Sequence, residues 1–288
     1  MLTRKAMFAG SWYPATASEC ENEIKSFLKE TRFHVKPDRG YTGGIVPHAG
    51  WYFSGSLACN VIAALRESEG QNTPDAVVIF GMHLHPRSSP CIMAEGSWET
   101  PLGDIDIERD VAGKLMEKFS FKIETPANFN PENTIELQTP FVKYFFPNAR
   151  LLPIGAPPNN TSIEIAKTVT ALSDQMKLKI KVIGSTDLTH YGSNYGFMPA
   201  GRGAKALAWA KDNNDKNMID HILAMNSESV IREGLANLNA CCAGAAAAAI
   251  EASKALGASA ARLAGYSSSH EKNPGDSFVG YAGVLFHS

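Results

Sequence analysis

The hydrophobic pattern alternates short, continuous apolar runs with longer stretches of helical apolar spacing. Gly44-Ile45-Val46, residues 76–80 (AVVIF), 150–154, 179–184 and 278–286 read as buried strands, because a strand covered on both faces carries an unbroken apolar run. Apolar residues recurring every three or four positions predict helices over 16–29, 56–66, 107–119, 162–176, 203–211, 217–225 and 227–238. Ser18 followed by Glu21 is a capping-box pattern for the first of these. The stretch ENTIELQTPFVKYFFP, residues 132–147, predicts a helix kinked or started near Pro140. An Ala-rich helix follows Cys241-Cys242 and is ended by Gly257. Residues 88–102 hold a further strand around Cys91-Ile92-Met93, and 267–277, rich in Ser, Asn, Pro and Gly, form a loop before the last strand. Strands alternating with helices imply an α/β fold, a three-layer α/β/α sandwich with a mainly parallel or mixed central sheet. No linker or repeat divides residues 1–288, so a single domain is expected.

Composition narrows the function classes. The chain is 44% hydrophobic with a formal net charge of −2, and it carries no long Lys/Arg block, which argues against nucleic acid as a partner. No apolar stretch approaches the roughly 20 residues needed to span a bilayer, and the opening MLTRKAMFAGSWYP is too interrupted for a secretory signal. A cytoplasmic protein without membrane association is the expectation. The five cysteines contain no CxxC pair, which argues against a disulfide framework or a separate structural zinc site. Cys20, Cys59 and Cys91 read as buried small apolar residues.

The candidate chemistry gathers at strand ends. GGIV breaks at Pro47 and delivers His48 beside the small Ala49-Gly50 turn; AVVIF runs into His83 and His85; the run ending at Gly184 opens into Asp187 and His190. If those strands are parallel neighbours, all three loops open on the carboxyl edge of the sheet, where α/β proteins bind ligands. Two imidazoles and one anionic ligand with open positions suit Fe(II) that binds substrate and dioxygen, or zinc that activates water; a thiolate as the anion also suits copper or zinc. A further histidine beside the ion serves as a general acid/base, and Asp187 either orients an imidazole or binds metal. Cys241 and Cys242 sit just before a helix, whose N-terminal partial charge favours thiolate. Trp12 reads equally as an anchor of a surface segment and as part of the site, and the loop carrying His270 and Asp276 is placed to fold over it.

Taken together, AGSWYP, the PHAG after a strand, ENTIELQTPF, the DLTHYG turn, a cysteine before an Ala-rich helix with Ile250-Glu251-Ala252, and the closing GYAGVLF resemble the Memo family, in the family's order and over nearly the whole chain. The resemblance implies the fold of class III extradiol dioxygenases, non-haem iron enzymes that cleave catechol rings with O₂. It implies His48 as a metal ligand, His190 as the acid/base with Asp187 beside it, and Cys241 rather than Cys242 as the ligand cysteine. The family's second histidine falls at Leu84, between His83 and His85, either of which supplies the ligand after a one-residue shift; Asn133 stands where many members carry His. The function expected is a metal-dependent oxidoreductase with Fe(II), copper and zinc being the alternatives. A zinc-assisted hydrolase and a non-catalytic module for a peptide, small molecule or metal are the competing readings. The resemblance also implies association with a radical-SAM protein and an AMMECR1-like protein.

Overall fold

The structure, a computed structural model, describes residues 2–35, 40–68 and 73–288. The strands, in chain order, are β1 (Thr3–Arg4), β2 (Tyr41–Val46), β3 (Ala76–Gly81), β4 (Cys91–Met93), β5 (Ser97–Trp98), β6 (Ile105–Asp106), β7 (Lys122–Glu124), β8 (Arg150–Gly155), β9 (Ile180–Ser185), β10 (His190–Tyr191), β11 (Ala260–Ser268) and β12 (Phe278–His287). The α-helices are α1 (Ala17–Phe27), α2 (Ser56–Glu67), α3 (Arg109–Met116), α4 (Asn133–Glu136), α5 (Thr139–Phe145), α6 (Asn160–Gln175), α7 (Ala204–Trp209), α8 (Lys216–Leu223), α9 (Ser227–Asn237) and α10 (Ala243–Ala255).

One mixed sheet of nine strands runs β10-β12-β2-β9-β3-β8-β4-β7, with β11 also paired to β12. Its centre, β2-β9-β3-β8, is parallel, while β12 meets β2 and β4 meets β8 antiparallel. The apolar runs are unbroken there because both faces are covered. Along β3, Val78 and Phe80 point into one core with α3, α6, α8, α9 and α10, and Val77 and Ile79 point into the other with α1, α2 and α5. These are the three layers that the alternation of strands and helices predicts.

Helix α10 explains its own composition. From Ala243 to Ile250 every residue is buried, so the helix has no solvent face for most of its length and needs small side chains all round. It presses on β9 at Gly184, where a Cβ would lie 2.7 Å from Ala249 Cβ. This close approach brings the start of α10 to the end of β9.

Three expectations shift in detail. The cap of α1 is Thr16, whose hydroxyl oxygen accepts the Glu19 N–H; the helix then begins early enough to place Cys20, Ile24 and Phe27 on one buried stripe. Residues 132–147 divide into α4 and α5, with Pro140 in the first turn of α5 where its missing N–H is harmless. The helices expected over 203–211 and 217–225 are one rod, because a π-helical turn, Ala210–Asp215, joins α7 to α8 and turns Asn214 and Asp215 inward.

The two-residue strands β1, β5 and β6 form a small sheet that no periodicity could announce. At its core Arg4 is fully buried, paired with Glu124, donating to the Asn130 carbonyl at 2.9 Å and lying 3.8 Å from the Trp98 ring centroid. Removing one member of a buried ion pair leaves a charge without compensation. Arg4→Met is therefore expected to lower stability by about 3–5 kcal/mol in denaturant unfolding, and Glu124→Leu in the same chain to recover much of that loss.

Candidate metal centre

Strand register builds the site. In the parallel ladder Val46 lies opposite Ser185, and Phe80 lies opposite Gly184, so β2, β9 and β3 end at nearly the same level. His48, Asp187 and His83 each follow two residues after the last residue of their strand. Pro47 closes β2, and its carbonyl accepts the Gln138 amide N–H at 2.9 Å. Met82, the residue before His83, is buried with φ +69, a left-handed conformation that non-glycine residues adopt at a cost of about 1–3 kcal/mol; its N–H donates to Thr134 Oγ1 at 2.7 Å. This turn swings His83 toward His48.

The side chains converge. His48 Nε2 is 3.2 Å from His83 Nε2 and 3.2 Å from Cys241 Sγ. Cys242 Sγ is 3.9 Å from Cys241 Sγ, and the four donor atoms all lie within 4.8 Å of one another. Cys241 is held by backbone on both sides: its N–H donates to the Asp187 carbonyl at 3.1 Å, and the Asp187 N–H donates to its sulfur at 3.2 Å. His48 is oriented from behind. Ser185 Oγ donates to the Thr134 carbonyl at 2.7 Å, so it accepts from His48 Nδ1–H at 3.0 Å and leaves Nε2 to face the other donors. The His48 N–H donates to Asp187 Oδ1 at 2.7 Å, and the Asn133 amide donates to the His48 carbonyl at 3.2 Å.

Of the two histidines left open after β3, only His83 joins this group. His85 Nδ1 accepts the Arg87 N–H at 3.1 Å, and His85 is neither in the donor group nor among the residues lining the cavity beside it. His190 stands beside the cluster with its Nε2 buried, 3.9 Å from Asp187 Oδ2, and its ring interacts with the Cys241 sulfur. Its ring and that of Tyr195 meet edge to face, with centroids 4.9 Å apart. Neither His270 nor Asp276 lines the cavity; their loop contributes Ser269, Asn273 and Ser277 instead. At the N-terminal segment Tyr13 is the buried anchor, hydrogen-bonded to Glu136 at 3.1 Å, while Trp12 is exposed and lines the cavity. The expected buried cysteines, Cys20, Cys59 and Cys91, are buried.

Charge is balanced inside the group. Burial opposes a charge on His48, but Asp187 and Cys241 outweigh it and raise the imidazole to about 9. Burial alone would raise the Cys241 thiol; the contact with Cys242, the charge of His48 and hydrogen bonding from His190 and His48 hold it well below the ordinary thiol range. Burial also works against the charged form of His190, and the Cys241 sulfur and Asp187 reverse this, so it is raised. Burial pushes Asp187 up, against His48 and His190, which pull it down. Two imidazole nitrogens and two sulfurs within 4.8 Å of one another form a donor set that suits a metal ion.

His48, His83, Asp187 and His190 line a cavity of about 550 Å³ together with Trp12, Tyr52, Phe53, Tyr195 and Tyr281, whereas Cys241 and Cys242 are not among its lining residues. A second cavity, of about 620 Å³, lies against His83 and Asn133 from the other side.

These features define a class, an α/β protein with a histidine and thiolate donor group at the carboxyl edge of its sheet. The family profile described as Memo-like protein matches residues 4–285, and the chain belongs to the Memo family. It is similar to MEMO1 family proteins of Pyrococcus furiosus, 31% identical over 293 residues spanning 99% of both chains, and of Methanosarcina barkeri, 32% identical over 288 residues spanning 98% of this chain and 99% of the relative. The MEMO1 family protein of Caldivirga maquilingensis is 30% identical over the full length of both. An uncharacterized protein of Escherichia coli K12, JW3007, shares the fold alone, with a TM-score of 0.50 at 10% identity, covering 84% of this chain and 98% of that one. No helix among the described residues is long and apolar enough to cross a membrane.

The turn that carries Asp187 and His190 is clamped from the π-helical turn, a feature the sequence reading missed. Thr189 donates from its N–H at 2.9 Å and from its hydroxyl to Asp215, which also accepts from the Tyr266 hydroxyl at 2.7 Å. Gly280 leaves room for this carboxyl, since a Cβ there would lie 2.0 Å from Asp215 Oδ2. Burial pushes Asp215 up to about 6 despite these donors. Its protonated form is thus favoured by folding, and its contribution to stability falls as pH rises from about 4, the unfolded carboxyl range, to about 6. The stability of the parent minus that of Asp215→Asn, measured by urea unfolding, is expected to decrease across that window and to be flat above it.

Proposed function

We propose that this chain is a metal-dependent oxidoreductase of the Memo and extradiol dioxygenase-like superfamily, with Fe(II) or copper held by His48, His83 and Cys241. The observation that carries the reading is the meeting of three donor atoms at 3.2 Å spacing, His83 to His48 and His48 to Cys241, with His190 beside the Cys241 sulfur. An ion bound there supplies a redox-active Lewis acid.

The protein's own residues do the rest. Ser185 fixes the His48 tautomer, and the two backbone contacts to Cys241 fix its sulfur. His190, which lines the cavity, takes a proton from a substrate hydroxyl and returns it to product, with Asp187 stabilising the charged imidazolium. Trp12, Tyr52, Phe53, Tyr195 and Tyr281 give the cavity an aromatic lining suited to a planar substrate, and Ser11, Asn194 and Asn273 supply polar contacts. Catechol-like compounds have this chemistry and match the extradiol relationship.

The test is made on protein reconstituted without oxygen. The parent is expected to hold about one equivalent of Fe(II) or copper, and His48→Ala and Cys241→Ala to lose it. His190→Gln is expected to keep the metal while catechol-dependent O₂ consumption falls by about 10²–10⁴-fold. Absence of stoichiometric metal in the parent sinks the reading. Equal ligand binding by His190→Gln and parent, with no O₂ consumption by either, marks a recognition module instead.

A further inference from the structure

We propose that Cys242 is a fourth ligand of this centre, and that the resulting pair of imidazoles and pair of thiolates selects a thiophilic ion, copper(I) in the redox reading, over Fe(II). The inference rests on the metal-centre reading above and goes further in naming a donor and a metal class.

Spacing is the first support. A four-coordinate ion with metal–sulfur bonds of about 2.3 Å and metal–nitrogen bonds of about 2.0–2.1 Å needs its two sulfurs about 3.8 Å apart and its two nitrogens about 3.3 Å apart. The Cys241 and Cys242 sulfurs are 3.9 Å apart, and the His48 and His83 nitrogens are 3.2 Å apart. All six separations among the four atoms fall within 4.8 Å, so shifts of about 1.2 Å at most bring the nitrogen–sulfur pairs to the roughly 3.6 Å that the same bond lengths require.

Position is the second. Cys242 is buried at the edge of the apolar core around α10, its N–H donates to Thr186 Oγ1 at 3.0 Å, and its sulfur lies beside that of Cys241. Both cysteines stand at the N-terminal end of α10, thirteen residues long; burial and the neighbouring Cys241 hold the Cys242 thiol well above the ordinary range, so its coordination releases a proton on metal binding. Chemistry is the third support. A second thiolate in place of an oxygen donor softens the set, and soft sulfur ligands favour Cu(I) and Zn(II) over Fe(II).

The test compares the full chain, reduced and metal-free under nitrogen, with Cys241→Ser and Cys242→Ser. With Co(II) as probe, the sulfur-to-cobalt charge-transfer absorbance per bound ion in Cys242→Ser is expected to be about half that of the parent, as in Cys241→Ser. In competition with a chromophoric chelator, Cu(I) affinity is expected to weaken about tenfold or more in Cys242→Ser, with Fe(II) affinity changed less than about threefold. X-ray absorption on the Cu(I)-loaded parent, which needs no variant, is expected to show two sulfur neighbours. One sulfur neighbour, or a Cys242→Ser protein with the parent's full charge-transfer band and Cu(I) affinity, overturns the proposal and leaves the three-ligand centre standing. A parent that binds none of the three ions overturns the metal-centre reading itself. Cys242→Ala carries the same readouts if the serine variant fails to fold.

Discussion

The hydrogen-bonded register of three adjacent parallel strands is the constraint from which the rest of the site follows. Because β2, β9 and β3 are paired so that their last residues lie level, residues two positions beyond each strand are delivered to one small volume. A one-residue slip of any of them would turn its donor to the opposite face of the sheet. The fourth contributor, the start of α10, is tied to the same level by the contact of Ala249 with Gly184 and by the reciprocal backbone contacts between Cys241 and Asp187. Side chains with no special affinity for one another are thereby held within hydrogen-bonding distance.

That proximity has an electrostatic consequence. A buried imidazole, thiol or carboxyl taken singly would be driven toward its neutral form. In this group each charge is offset by another: His48 is raised by Asp187 and Cys241, and Cys241 is lowered by the imidazoles around it. The arrangement is stable only as a set, so every member depends on the others for its protonation state. The surrounding shell is assigned to holding this set in place: Ser185 behind His48, Thr134 under Met82, and Asp215 under Thr189.

How much of this was legible in the sequence follows from what each feature depends on. The runs around Ile45, Val78 and Val182 announce buried strands because burial on both faces leaves no polar alternation, and the motif order carries the family. The Ala-rich helix is equally plain, since a helix without a solvent face has no amphipathic stripe to hide it. What was not legible depends on tertiary neighbours. His83 and His85 differ only through the left-handed turn at Met82. Cys242 adjoins the ligand position picked by resemblance, and sequence order cannot say that its sulfur points the same way as that of Cys241. The Asn213-Asn214-Asp215 cluster resembles a loop, and it is helical because Thr189, Asn237 and Tyr266 satisfy its buried side chains. Strands of two residues, such as β1 and β10, carry no period at all.

The donor atoms also record how far apart in the chain their residues lie. His48 and Cys241 are separated by 193 positions, and β9, which places them, lies between two strands that precede it by roughly a hundred residues or more. No fragment of the chain short of most of its length contains the site, and no early, local folding event is able to assemble it. Loop-closure entropy must be overcome before these contacts form, which puts completion of the centre at the end of folding. A spectroscopic signal from an ion bound there would therefore be a clock for the arrival of the whole sheet, and an ion that binds only the finished arrangement would stabilise the entire molecule rather than one corner of it.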